Sequence, residues 1–154
     1  MKIKERHINA VLDLIDQDDF NVEDTIQNID EVLPTILAYS LSDSFSLLTL
    51  EEKDYFEYLG MTILIVTLNN IESIDDKSEE EIGIIEEKMW GRLELGKGKK
   101  FNEKLTAFFE HTQEEDLFAF IEDGLTPEDN DFVSVAGREL MFIGLATMVE
   151  ALCD

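Results

Sequence analysis

Between Tyr58 and Leu68 the chain reads Tyr-Leu-Gly-Met-Thr-Ile-Leu-Ile-Val-Thr-Leu, with no charged side chain. Nine residues earlier, Thr49-Leu50-Glu51-Glu52 has the form of a capping box, in which threonine accepts from the third helical amide and glutamate reaches back. The pair predicts a helix over about 50–72 whose centre is apolar on nearly all sides. Such a helix has no face to give to water and must be enclosed by other helices. Ile63-Leu64-Ile65-Val66 has the composition of a strand. It lies inside a run too long for a strand and opened by a helix cap. The apolar run spans only about half a bilayer and contains Gly60 and two threonines, which makes it a core helix.

A second segment of this kind lies near the C-terminus. Thr126-Pro127-Glu128-Asp129 places proline where its missing donor costs nothing, at a first helical position. The expected helix, about 128–152, is again apolar on most faces from Phe132 onward. The remaining elements are amphipathic. Ile8, Val11, Leu12 and Ile15 form one face of a helix over 3–17. Asn21 can cap the next, whose stripe of Ile26, Ile29, Leu33, Ile36 and Leu37 runs past Pro34. A kink or short break is expected there, with helix resuming to about Ser42. Ser78-Glu79-Glu80-Glu81 is a second capping box, opening a helix over 79–93. Phe101, Leu105, Phe108 and Phe109 mark a short helix to about His111, and Thr112-Gln113-Glu114-Glu115 reads as a third box leading to Leu117, Phe120 and Ile121.

No segment alternates with a period of two between hairpin turns. The expectation is therefore an all-α, single-domain multi-helix bundle over 1–154, of about six to eight helices. The two apolar helices near 50–72 and 128–152 stand at its centre. No repeat, low-complexity tract or domain boundary interrupts it.

Thirty-six acidic against twelve basic residues leave a formal charge of −24. That excludes the basic footprint needed for nucleic-acid phosphates or anionic lipid. No apolar stretch of a signal peptide follows the basic N-terminus, and Cys153 is the single cysteine, as in a reducing compartment. A cytoplasmic protein is expected. The bland account of the charge is a well-solvated surface; the sharper one is a face made for a basic protein.

Carboxylates in this number raise the question of metal, but a helical di-iron site needs Glu-x-x-His on two helices. Lys4 and Phe108 stand three residues before His7 and His111. Asp16 to Asn21 fails as a calcium loop, with Phe20 at the fifth position, Asn21 in place of glycine and Gln27 in place of the bidentate glutamate. Ser40, Ser42, Ser44 and Ser46 have no nearby histidine, and no nucleophile elbow is present. Gly96-Lys97-Gly98-Lys99-Lys100 lacks the spacing of a phosphate loop and reads as a flexible, solvated connection. No catalytic residue, cofactor or metal ligand is assigned.

The basic residues are unevenly placed. Six of the twelve lie in 88–104, whereas 7–76 holds Lys53 alone against sixteen acids. Small, acidic, cysteine-poor and helical, the chain resembles immunity proteins and nucleic-acid mimics in composition alone; no motif carries either identity. Three functions follow as expectations. The first is a non-enzymatic binding or inhibitory protein whose acidic face, Asp13, Asp16, Asp19, Glu23, Asp24, Asp30 and Glu31, meets a basic protein. The second is a self-associating structural or regulatory protein, a homodimer built through Lys97, Lys99 and Lys100 and the small residues Gly137 and Gly144. The third is a carboxylate-rich metal protein or enzyme.

Overall fold

The computed structural model describes residues 2–153, and among them the chain is helical with no strand. The elements are α1 (Glu5–Ile15), α2 (Val22–Val32), α3 (Pro34–Ser40), a 3-10 turn (Asp43–Phe45), α4 (Leu50–Asn70), α5 (Glu79–Glu94), α6 (Phe101–Lys104), α7 (Thr106–Glu110), α8 (Glu115–Leu125) and α9 (Val135–Cys153). Two of the nine α-helices, α6 and α7, are about one turn long. They arise because the helix expected from Phe101 to His111 breaks at Leu105, which is fully buried.

The two apolar helices occupy the centre. In α4 every residue from Thr62 to Thr67 is buried, and in α9 every residue from Met141 to Val149. Runs longer than a helical turn leave no exposed face. Helix α9 packs against α5, α4, α8 and α3, while α1 lies across α4 and α8. The aromatic residues gather here as core. Phe108 and Phe142 meet edge to face at 4.7 Å, and Phe118 packs beside both. No helix among the described residues is long and apolar enough to cross a membrane.

The first two capping boxes form as the sequence implies. Thr49 Oγ1 accepts from Glu52 N and Ser78 Oγ from Glu81 N, each at 3.1 Å, and each glutamate returns a bond to the cap amide. At Pro34 the helix breaks rather than kinks. Leu33 leaves helical geometry, and Pro34 starts α3 with amides that need acceptors. Asp76, forty residues on, supplies them: its carboxylate accepts from Thr35 N at 2.9 Å and Ile36 N at 3.1 Å. Burial pushes the Asp76 carboxyl up, but these amide bonds outweigh it and hold the group below its usual range.

Two boundaries depart from expectation. The box at Thr112 does not form: α8 starts at Glu115 with Glu114 at its N-cap, so Thr112 Oγ1 accepts from Glu114 N at 2.9 Å. The Glu114 carboxylate accepts from Ile3 N, 2.9 Å away, and ties down the N-terminal segment. The last helix begins at Val135, not near Glu128. Residues 126–134 make turns instead, and the reason lies in Glu52, Ser134 and Arg138, described below.

Helix α5 carries two glycines that no intrachain contact requires. A Cβ on Gly83 or Gly91 would meet nothing within 4 Å. Glycine inside a helix costs about 0.5–1 kcal/mol relative to alanine. Gly83→Ala and Gly91→Ala are each expected to raise stability by about that amount, read as an increased urea midpoint with unchanged slope.

Candidate partner-binding surface

The surface expected to meet a partner is built by α1, the turn that follows it and α2. Helix α1 buries Ile8 and Val11, and α2 fully buries only Ile29. Turning those stripes inward leaves the polar faces outside, and Asp13, Asp16, Asp19, Glu23, Asp24, Asp30 and Glu31 are all exposed. Asn21 caps α2 by accepting from Asp24 N at 3.0 Å. Glu23 and Asp24 then lie in the first turn, where the helix dipole favours negative charge.

The other carboxylates are placed against the dipole. Asp13 and Asp16 stand at the C-terminal end of α1, and Asp30 and Glu31 in the last turn of α2, with no basic residue in either last turn. A negative charge there costs about 0.3–1 kcal/mol where a cation would gain it. Nor are these acids neutralised across the surface. Among the described residues the ion pairs are Lys88–Glu150 and Lys104–Glu139, neither of which includes a residue of this face. Asp16 also keeps company with Tyr58, whose hydroxyl is raised first by burial and then by that carboxylate.

The residues expected to serve self-association fall into two groups. Lys97, Lys99 and Lys100 are exposed on the α5–α6 connection. That connection is a defined turn rather than a loose tether. Gly98 has φ +84°, and a Cβ on Gly96 would sit 2.7 Å from the Cα of Lys104, so both glycines are required by the backbone path. Gly137 and Gly144 are buried inside the chain. A Cβ on Gly137 would lie 2.3 Å from Glu52 Oε2, and one on Gly144 2.6 Å from a ring carbon of Phe45. Their smallness serves contacts within the fold, which removes them from any surface offered to a second copy.

Glu52 serves a second helix start that its local sequence does not reveal. At 1% exposure it divides its two oxygens between two helix starts. Oε1 completes the box at Thr49, while Oε2 accepts from Ser134 N at 2.8 Å and from Ser134 Oγ at 3.0 Å. Ser134 Oγ in turn accepts from Gly137 N. Thus α9 has a capping box whose glutamate comes from α4, and glycine stands where the carboxylate must enter. Burial alone would raise the Glu52 carboxyl, but the bonds from Thr49 and Ser134 hold it below its usual range.

Tyr39 donates its hydroxyl to Glu86 Oε2 at 2.5 Å, beside a 260 Å³ cleft that Thr35, Ser42, Ser44 and Glu79 also line. Burial first, and Glu86 second, raise the Tyr39 hydroxyl far above its usual range, so it stays a neutral donor. No histidine lines that cleft to act as a base. Among the described residues no group of three or more His, Cys, Asp or Glu side chains is placed to hold a metal ion. Comparison with family models, with curated proteins and with solved structures gives no match.

Proposed function

We propose that the protein is a non-enzymatic acidic binding protein, inhibitory in kind, whose α1–α2 face occupies a basic site on another protein. The observation that carries this reading is the set of unpaired carboxylates at the negative ends of both helices. Charge placed against the dipole and left without cations weakens the fold and contributes nothing inside the chain. A basic partner gives it a use, since complementary charge speeds encounter by roughly 10–10³-fold and excludes wrong partners.

The test separates folding from binding. Asp13→Asn, Asp16→Asn, Asp30→Asn and Glu31→Gln in one variant are expected to raise the melting temperature by a few degrees, about 2–4 °C per kcal/mol recovered. The same variant is expected to lose at least about tenfold in affinity for the basic protein that the natural chain captures from its source lysate at low salt and releases at high salt. Equal affinity of the two proteins for that partner, measured by calorimetry, would remove the face from the interaction.

A further inference from the structure

The deepest unassigned feature lies on the opposite charge. Arg138 is only 6% exposed, and no carboxylate oxygen of the described residues lies within 4.0 Å of its guanidinium. Its Nε donates to Leu125 O at 2.7 Å, and its Nη2 to Asn130 O at 3.0 Å and Val133 O at 3.1 Å. These bonds shape the 126–134 turns and displace the start of α9. They leave Nη1, with two N–H donors, outside the set. A buried guanidinium is always charged, and carbonyl dipoles replace water without supplying a counter-charge.

Arg138 lines a cleft of about 510 Å³ between α6 and the start of α9, within the range of small-molecule sites. Lys99 and Lys100 stand on its rim, carried there by the turn that Gly96 and Gly98 define. Phe101, Pro127 and Val135 give it an apolar wall, and Phe101 also underlies the guanidinium at 5.9 Å. Lys104 is already committed to Glu139. Two exposed acids on the rim, Glu103 and Glu128, oppose a multiply charged guest.

We infer that this cleft binds a small organic monocarboxylate, with its carboxylate at Arg138 Nη1 and the two lysines and its apolar body against Phe101, Pro127 and Val135. A guanidinium is the planar donor that suits a carboxylate. The apolar wall selects a ligand with a hydrocarbon or aromatic body over an inorganic ion. The rim acids select one negative charge over two. At physiological salt the screening length is about 8 Å, so the distant acidic helices do not cancel the local attraction. The inference is independent of the partner reading, which concerns a different face.

Sodium benzoate, phenyl phosphate and benzyl alcohol serve as probes, titrated at fixed ionic strength into the full chain. Nitrogen-15 spectra would follow the Arg138 side chain and the amides of 99–104. Benzoate is expected to give saturable shifts confined to these groups, with a dissociation constant below about 1 mM, phenyl phosphate weaker ones, and benzyl alcohol none. Lys99→Gln with Lys100→Gln, both exposed, is expected to leave the fold intact and weaken benzoate at least about tenfold. Arg138→Gln is expected to abolish saturation where it folds, and the lysine variant decides the matter where it does not. Linear shifts, shifts unaffected by the lysine changes, or stronger binding of phenyl phosphate would overturn the assignment. So would benzoate that does nothing while Lys99→Glu with Lys100→Glu splits a native dimer, since the cleft would then hold a second copy.

Discussion

Glu52→Ala is expected to lower the unfolding free energy by about 2–3 kcal/mol, the loss of its bonds at two helix starts. Thr49 N, Ser134 N and Ser134 Oγ all lose their acceptor, at helix starts whose own residues are exposed. Each bond contributes about 0.5–1.5 kcal/mol net, and water can reach the exposed helix starts to replace part of it. Urea unfolding followed by circular dichroism reads the change directly. Gly137→Ala acts on the same contact from the other side, because its Cβ would lie 2.3 Å from Oε2 and force the carboxylate off both amides. The two substitutions are therefore expected to be strongly non-additive, with Gly137→Ala costing far less in a Glu52→Ala background. Full additivity would show that the glutamate and the glycine act separately. The pH dependence follows with a definite sign. The Glu52 carboxyl is depressed in the folded chain, so its contribution is complete above the unfolded value near 4.5 and is lost as pH falls through the folded value. Asp76 behaves in the same way. Glu114, raised first by burial and only partly offset by the Ile3 amide, works in the opposite direction, its protonated form being the one that folding favours.

The same contact shows where the sequence is legible and where it stops. The box at Thr49 is readable because all its parts lie within four residues, and the same holds at Ser78. At Ser134 the cap residue is present but its glutamate lies eighty-two positions away, and Gly137 at the third helical position erases the local signal. At Thr112 the converse occurs: the local pattern is complete, but the helix is capped at Glu114, whose carboxylate holds the amide of Ile3, 111 residues earlier. Pro127 is likewise a good helix start by its neighbours alone, yet Arg138 draws the carbonyls of Asn130 and Val133 inward and holds the chain in turns. The central helices suffer no such ambiguity. A segment apolar on every side has one physical outcome, and both α4 and α9 meet it.

Legibility of the site follows the same division. That Asp13, Asp16, Asp30 and Glu31 face water follows from the apolar stripes they alternate with. That they are unpaired does not, because the cations that could neutralise them lie anywhere in the chain. Arg138 is the sharper case. In the sequence it is one basic residue among twelve acids over the last fifty positions, and nothing near it marks it as buried. Only the fold shows that its three partners are carbonyls, and that the lysines clustered before α6 come to the same cleft.

Gly144→Ala is expected to lower stability by about 2–3 kcal/mol, the range for forcing a methyl group into a filled core. The new Cβ would sit 2.6 and 2.7 Å from two carbons of the Phe45 ring and 2.9 Å from Phe56. Neither ring has room to retreat. Phe45 is fully buried, its centroid 4.5 Å from that of Phe56 on one side and 5.3 Å from that of Tyr39 on the other. Tyr39 is itself anchored to Glu86 across α5. For a chain of this length the loss corresponds to a melting temperature lower by about 5–10 °C. Phe45→Leu, which shortens the obstructing ring, is expected to destabilise alone but to recover part of the loss when combined with Gly144→Ala. A glycine kept for contact with a second copy would behave otherwise: the substitution would halve the native mass and leave the monomer's melting temperature unchanged. The opposite signs expected at Gly91 and Gly144, one stabilised and one destabilised by the same added methyl, distinguish a glycine that the fold merely tolerates from one on which its centre closes.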